Sequence, residues 1–390
     1  MDVAALKKRV SERVDARGKT LDDLALRIHE RPELAFEERY AAQLLTAALD
    51  AEGAAVTRGA GGLETAFAAE FGTGRPTVAI LGEYDALPGV GHACGHNLMG
   101  TAALGAFLAL RDLTKELPGR VRLLGCPAEE RGNGKNHLIR AGLFADVDAA
   151  LMYHPGDRDE LDPLMLALVS LDVEFIGKAA HAAAEPQEGI NALDALMLSW
   201  TGLSALRLTV RSDSRFHGII TDGGKAANII PDRAAARFMV RSPDNTYLKE
   251  LQRRVIACFE GAATQTGCEL RYQWSDTCDL VSTNRPLAEA FSANAKALGR
   301  EMKPRRPGDT HGSTDMGNVT SLVPGIHPFL SITEGPVPGH SIAFASAAAT
   351  PLALETMHVA AKALAMTAAD ALTDPVLTRR AKEAFDGIRR

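Results

Sequence analysis

The sequence predicts an α/β domain with a central, mainly parallel sheet, interrupted by an inserted domain of the α+β type. Short apolar runs alternate with helical patterns over residues 1–168, and the pattern changes over residues 169–282 to strands that alternate apolar and polar side chains. Helices and an apolar strand return over residues 283–390. Strands separated by helices favour a parallel sheet, whereas alternation favours a sheet with one solvated face.

The first segment contains three predicted strands and a helix that carry the argument about function. The strands are PTVAILG (76–82), VRLLGCP (121–127) and AALMYH (149–154), and the helix is TAALGAFLALRDL (101–113). Ligands of open α/β sheets gather at the carboxyl ends of the strands. Polar residues that directly follow these strands are therefore the first candidates for a functional site.

The inserted segment is predicted to run strand, helix, strand, strand, helix, strand. LVSLDVEFIG begins it, a helix covers residues 191–208, and FHGIIT, AAARFMVR, YLKELQRRVIACFEGAAT and CELRYQW follow. This order is typical of a ferredoxin-like unit with helices on one side of an antiparallel sheet. The last segment adds a helix, a strand around GIHPFLSI and a long helix from about residue 351 to 370.

Composition excludes several classes of function. The 390 residues carry a net charge of −6, which offers nucleic acid or an anionic membrane no electrostatic attraction. The N-terminus is a charged amphipathic pattern without a secretory signal, and no apolar run reaches the roughly 18 residues of a membrane span. The five cysteines are scattered and odd in number, so no disulfide framework is expected. We expect a cytoplasmic protein that acts on a small molecule.

Two polar clusters have the chemistry of a metal site. Cys94 and His96 flank Gly95, and a thiolate with an imidazole can bind Zn²⁺ or a similar ion, although buried cysteines are commonly small hydrophobes. Glu129 and Glu130 follow a predicted strand. Adjacent glutamates are often only solvated, but here one could bind metal while the other serves as a general base.

Two histidines extend the set of candidate ligands. His154 ends the strand AALMYH, and His340 lies in the Gly/Pro-rich loop EGPVPGHSIAF. The candidates then number five: Cys94, His96, Glu130, His154 and His340. One tetrahedral ion with a bound water uses fewer ligands, whereas two ions that share the thiolate would use all of them. Paired ions of this kind suit hydrolysis.

The chain resembles the carboxypeptidase G/aminoacylase superfamily of co-catalytic metallopeptidases (peptidase family M20). The motifs are EYDALPG, HACGHN, PAEE, YHP, GKAAHAAAEP, NIIPD, GSTDMGNV and PGHS, in family order from residue 28 to about 345. Within the family the chain is similar to the amidohydrolase branch, which includes p-aminobenzoyl-glutamate hydrolase and hydrolases of N-acyl amino acids. The motifs are specific for the family and uninformative about the substrate.

The resemblance implies a metallopeptidase catalytic domain and an inserted dimerisation domain. It implies that two divalent ions share five ligands: Cys94 as the bridge, His96 and His154 at one ion, and Glu130 and His340 at the other. Glu129 would be the base that takes a proton from the attacking water and delivers it to the leaving amine. Asp85 would orient a ligand imidazole.

The resemblance also implies residues that contact the substrate. His181 would reach the active site of a partner subunit and stabilise the oxyanion, which requires a homodimer. Asn228 and Arg241 are candidates for binding a substrate carboxylate, although Asn228 could instead cap a turn and Arg241 could be a solvated strand residue. Ser313 is expected in the wall of the site.

The chain departs from the family pattern at two positions. Asn97 stands where this branch often has Asp, which would remove a charge beside the metal pair. Glu83 stands where the dipeptidases of the superfamily carry a ligand histidine, so we leave it outside the ligand set. His92, His311 and His327 are other candidate imidazoles that we do not expect to be ligands.

The expected function is hydrolysis of an amide C–N bond in an N-acyl amino acid, an aminobenzoyl-glutamate or a dipeptide. Two ions per subunit are expected, with Zn²⁺ or Mn²⁺ ahead of Co²⁺, because a Cys/His/Glu set accepts each of them. One alternative is an aminohydrolase that displaces an amine from an activated aromatic ring, as on nitroanthranilates. The other is a non-catalytic binding protein on this fold.

Overall fold

The computed structural model describes residues 2–388 except 307, 310 and 311, and the chain divides into two compact units. The first unit comprises residues 1–164 and 281–390, and the second comprises residues 165–280. The sequence-based boundaries, after residues 168 and 282, lie a few residues further along the chain.

The helices and strands alternate through the first unit. In chain order the helices are α1 (Val3–Asp15), α2 (Gly18–Glu30), α3 (Arg39–Ala51), α4 (His96–Arg111), α5 (Gly134–Arg140), α6 (Ala192–Leu206), α7 (Asn245–Thr266), α8 (Arg285–Ala297), α9 (Met316–Thr320), α10 (Ile342–Ala347), α11 (Pro351–Thr373) and α12 (Pro375–Ile388). The strands are β1 (Val56–Arg58), β2 (Phe67–Thr73), β3 (Thr77–Glu83), β4 (Gly119–Cys126), β5 (Ala149–Leu151), β6 (His154–Gly156), β7 (Ala167–Ile176), β8 (Arg215–Asp222), β9 (Arg233–Ser242), β10 (Glu269–Trp274), β11 (Gly325–Ile326) and β12 (Phe329–Ser331). Among the described residues, none of the helices has both the length and the hydropathy of a membrane crossing.

The central sheet of the first unit is mainly parallel, as predicted. Its order is β1-β2-β4-β3-β5-β11, in which β4, β3, β5 and β11 run parallel and β1 and β2 are antiparallel at one edge. Every residue of β3 is buried, as expected for a central strand that is covered on both faces. A separate parallel pair joins β6 to β12.

The second unit has the predicted α+β architecture. Its elements follow the order β7-α6-β8-β9-α7-β10, and its antiparallel sheet has the strand order β10-β7-β9-β8. Alternate residues of β7 are buried, and the apolar side of that sheet packs with α6 and α7 in a core of its own. The long edge strand of this sheet, β8, pairs with β9 on one side only.

A close approach between α4 and β3 positions the polar residues that follow β3. A Cβ on Gly100 would lie 2.9 Å from the carbonyl oxygen of Glu83, and a Cβ on Gly82 would lie 2.8 Å from the Cα of Gly100. Gly95, at φ 74°, takes the left-handed conformation that starts α4 at His96. Glycine at these positions therefore lets the first turn of α4 lie against the end of β3.

Candidate metal centre

The candidate ligands gather at the carboxyl ends of neighbouring strands. β3 ends at Glu83, with Asp85 two residues later, and β4 ends shortly before Glu129 and Glu130. His154 is the first residue of β6, which follows β5 closely. The parallel order β4-β3-β5 brings these ends to one edge of the sheet.

The ligand atoms form two groups that share a cysteine. In each group, one ligand atom per residue lies within 4.8 Å of the others: Cys94, His96 and His154 in the first, and Cys94, Glu130 and His340 in the second. A third group of the same kind contains Glu129 together with His96 and Glu130. The thiol of Cys94 thus belongs to both of the first two groups, and the carboxylate of Glu129 lies beside them.

Asp85 orients two of these residues. Nδ1 of His96 donates a hydrogen bond to both the carbonyl oxygen and Oδ1 of Asp85, each at 3.0 Å. The backbone N–H of Glu130 donates to Oδ2 of Asp85 at 2.9 Å. Because Nδ1 of His96 carries the proton, its buried Nε2 presents a lone pair, and Nε2 makes no hydrogen bond among the described residues.

His154 and His340 are held by backbone contacts. Nδ1 of His154 lies 2.6 Å from the carbonyl oxygen of Pro155, which assigns its proton to Nδ1 and leaves Nε2 for a ligand role. His340 takes the left-handed conformation, at φ 58°, and its backbone N–H donates to Ala93 at 3.0 Å. Its Nε2 lies 3.8 Å from Oε2 of Glu130.

The electrostatics of the cluster suit divalent cations. Burial raises the pKa of the Cys94 thiol, and a bound cation would instead favour its thiolate. Burial alone would lower the pKa of His96, but the carboxylates of Asp85 and Glu83 raise it well above its ordinary value. Burial and neighbouring carboxylates raise the pKa of Glu129. Oε1 of Glu130 is buried without a hydrogen bond among the described residues. The thiol, imidazoles and carboxylates present therefore fit a pair of transition-metal ions.

A buried lysine lies beneath the site and was missed from the sequence. Nζ of Lys135 donates to Oε1 of Glu83 and, at 2.5 Å, to Oδ1 of Asp315. All three side chains are buried, and Glu83 and Asp315 each place an oxygen within 4.8 Å of Glu129. Ser313, two residues before Asp315, is half-buried. A lysine after a glycine-rich turn has no distinctive pattern, and its acidic partners are remote in sequence.

The second unit carries its candidate residues at opposite ends of the sheet. His181 and Asn228 are exposed neighbours: the N–H of Ala182 donates to the carbonyl oxygen of Asn228 at 3.0 Å. Nδ1 of His181 accepts from two backbone N–H groups, at 3.2 and 3.1 Å, so its Nε2 carries the proton.

Arg241 lies at the other end of β9. It faces Leu168, which also pairs with Cys278, so this end of the sheet is where the chain of the unit begins and ends. The loops of His181 and Asn228 adjoin the Arg233 end of β9, where the N–H of Gly177 donates to Asp232. Eight residues of strand separate the two ends of β9, about 26 Å at 3.3 Å per residue. The structure therefore does not bring Arg241 together with His181 and Asn228 within the unit.

The remaining predicted positions have structural contacts. Asn97 does not face the cluster; its amide donates to the carbonyl oxygens of Ala25 and Ala348, which an aspartate could not do. Burial lowers the pKa of His92 to about 3, and its Nε2 lies 3.1 Å from the carbonyl oxygen of Ile28. His327 is buried beside His154. His311 lies outside the described residues.

Cavity size does not identify the site. A cavity of about 900 Å³ lies at the opposite edge of the sheet, beside the residues that precede β3, β5 and β11. Its lining includes Arg75, Asp148 and Pro324, and none of the candidate ligands. The convergence of ligand atoms therefore locates the site.

Comparisons with known proteins agree with the geometry. The family model described as peptidase family M20/M25/M40 matches residues 76–369. The Xaa-Arg dipeptidase of Mus musculus is 40% identical over 403 residues, which cover 98% of this chain and 93% of that protein. One of the polypeptides of the p-aminobenzoyl-glutamate hydrolase of Escherichia coli (strain K12) is 37% identical over 303 residues, which cover 72% of this chain and 63% of that polypeptide. A dinuclear metal-binding peptidase of family M20 from Bacillus subtilis has a TM-score of 0.72 at 23% identity, covering 92% of this chain and 99% of that one, which supports the fold.

Replacing Lys135 tests the buried charge cluster. Lys135→Met leaves two buried carboxylates without their cation, so we expect a loss of about 3–5 kcal/mol in the free energy of unfolding, measured with urea. Arg39→Met is the control, because the pair of Arg39 and Glu64 is exposed and its loss costs about 0–1 kcal/mol. Adding Glu83→Gln to Lys135→Met should recover part of the stability. Equal losses for Lys135→Met and Arg39→Met would contradict the cluster.

Proposed function

This chain belongs to peptidase family M20/M25/M40 and is a hydrolase, and we propose that it cleaves the amide bond of a dipeptide or an N-acyl amino acid, p-aminobenzoyl-glutamate included. The observation that carries the proposal is the thiol of Cys94, shared between two ligand groups with Glu129 beside them. Dipeptides with a C-terminal arginine are the first candidates, since the dipeptidase named for them matches nearly the whole chain. Membership of the family sets aside the non-catalytic alternative.

We propose that five residues hold two divalent ions, Zn²⁺ or Mn²⁺ ahead of Co²⁺. Cys94 would be the shared ligand, His96 and His154 would complete one site, and Glu130 and His340 the other. When bound, such ions lower the pKa of water and polarise the scissile carbonyl. The lone pairs that His96 and His154 present from Nε2, and Oε1 of Glu130, which has no hydrogen bond among the described residues, support this set.

Glu129 is the proposed general base. Its carboxylate lies within 4.8 Å of the ligand atoms of His96 and Glu130 but outside both groups that share Cys94. It is therefore available to take the proton of the attacking water and to pass that proton to the leaving amine. Asp85, which accepts from Nδ1 of His96 and from the N–H of Glu130, keeps both neighbours of the base in position.

The substrate is proposed to be held by residues of two subunits. Nε2 of His181 carries a proton that can stabilise the oxyanion, and Asn228 lies beside it. Arg241 could pair with a substrate carboxylate from the other end of the unit. Because one small substrate cannot span β9, we propose that Arg241 serves its own subunit, whereas His181 and Asn228 serve the partner. Ser313 is proposed to line the wall of the site.

We propose that the second unit forms a homodimer through β8 and α6. β8 is an edge strand, and the side chains of Ile219 and Ile220 on it are 64% and 42% exposed. Met197 on α6 is 52% exposed, and Leu208, just after α6, is 86% exposed. An unpaired edge beside exposed apolar side chains favours pairing with another copy of the same strand.

A substrate panel with Glu129→Gln tests the proposed chemistry. We expect the metal-loaded protein to hydrolyse at least one of the dipeptides, N-acetyl amino acids and p-aminobenzoyl-glutamate, and to lose activity after chelation. Glu129→Gln should lower kcat about 10²–10⁴-fold, because the proton acceptor is lost, and should keep two ions by elemental analysis. The matched variant Glu130→Gln should lose an ion as well as activity. Normal turnover by Glu129→Gln, or release of amine only from aminoarenes, would contradict the proposal.

Mixing two inactive variants tests the sharing of residues between subunits. Glu129→Gln and His181→Ala should each be inactive alone. After dissociation and random re-association, half of the dimers are mixed and have one working site in two, which gives about one quarter of wild-type activity. No recovery of activity in a mixture shown to contain mixed dimers would mean that His181 acts within its own subunit.

A further inference from the structure

Two residues that are not glycine take the left-handed backbone conformation and share one hydrogen-bond acceptor. Phe36 has φ 66° and Ala128 has φ 60°. The backbone N–H of Phe36 donates to Oε1 of Glu38 at 2.9 Å, and the N–H of Ala128 donates to the same oxygen at 2.8 Å. Side chains with a Cβ avoid this conformation, which persists where surrounding contacts hold it. Glu38 is such a contact for both residues.

Glu38 is fully buried and satisfied at both oxygens. Its side chain has no exposed surface, and its Oε2 accepts from the hydroxyl of Thr65 at 2.8 Å. Burial raises the pKa of Glu38 to about 7, against the effect of its hydrogen bonds. The neutral form keeps every contact, because its carbonyl oxygen can accept both N–H groups while its O–H donates to Thr65.

The acceptor acts on the loop that carries the proposed base. Ala128 directly precedes Glu129, and the next N–H but one, that of Glu130, donates to Asp85 at 2.9 Å. The loop is therefore held on both sides of Glu129. A Cβ on Gly132, further along the loop, would collide with the ring of Phe36, so the segment around Glu38 covers the loop at a second point.

We propose that Glu38 is a positioning residue that holds the left-handed turn at Ala128, so that Glu129 and Glu130 enter the site together. The proposal rests on the proposed roles of Glu129 and Glu130. Glu38 touches neither of them and is 90 residues from Ala128 in sequence. It acts on catalysis through the backbone of the loop, since a small displacement of a catalytic group greatly lowers the rate.

Three substitutions at two positions separate positioning from simple stability. Glu38→Gln keeps an acceptor for both N–H groups and a donor for Thr65, so kcat should stay within about twofold of the wild type. Glu38→Ala removes the acceptor, so kcat should fall about 10–100-fold while KM changes little. Thr65→Val removes only the contact at Oε2 and is the matched control, with kcat near that of the wild type. A loss in Glu38→Gln equal to that in Glu38→Ala would overturn the proposal.

A second readout does not depend on activity. Hydrogen exchange of the peptide that contains residues 128–134 should be slow in the wild type, Glu38→Gln and Thr65→Val, and at least about tenfold faster in Glu38→Ala. Unchanged exchange in Glu38→Ala would overturn the proposal, whether or not the protein hydrolyses the substrates tested. If the proposed function fails, hydrolysis is absent from the wild type while these exchange rates keep their order.

A double variant covers the case in which Glu38→Ala does not fold. Glycine adopts the left-handed conformation at no steric cost, so Glu38→Ala with Ala128→Gly removes the strain but not the missing acceptor. We expect this variant to fold, to exchange the loop amides faster than Ala128→Gly alone, and to keep a kcat about 10–100-fold lower. Recovery of wild-type kcat would show that relief of strain, and not positioning, is the role of Glu38.

Discussion

The carboxylate of Asp85 connects the two loops on which the site depends. One of its oxygens accepts from Nδ1 of His96, at the start of α4, and the other accepts from the backbone N–H of Glu130, after β4. The loops leave neighbouring parallel strands, so they would be close without Asp85 but free to rotate. The two hydrogen bonds turn Nε2 of His96 and the carboxylate of Glu130 toward the shared thiol of Cys94. Close packing of α4 on β3 keeps this arrangement rigid.

Negative charge accumulates at this edge of the sheet and is balanced from two sides. At depth, Lys135 neutralises Glu83 and Asp315, which lie beside Glu129. Nearer to solvent, the raised pKa values of Cys94 and Glu129 show that these groups resist becoming anions without a further cation. Cations are thus a requirement of the electrostatics of the site, because buried anions without partners are costly.

The parts of the fold and site that depend on short-range patterns were predictable from sequence. Apolar runs and their alternation predicted both sheets, and the Cys94 and His96 motif with the two glutamates predicted the cluster. The contributions of Lys135 and Glu38 were not predictable, because their partners lie 180 and 90 residues away. Asn97 was predicted to face the metals from its place in a motif, whereas the packing of α4 turns it toward two backbone carbonyls. The separation of Arg241 from His181 depends on strand register, which spacing along the chain does not reveal.

The central claim is that Cys94 is shared between two cations, and anomalous X-ray diffraction from crystals of the metal-loaded protein tests it most directly. Data collected on both sides of the absorption edge of the bound metal locate each ion independently of the refined protein atoms. The account predicts two peaks roughly 3.5–4 Å apart, with the sulfur of Cys94 between them. A single peak, or two peaks of which one lies away from Cys94, would contradict it.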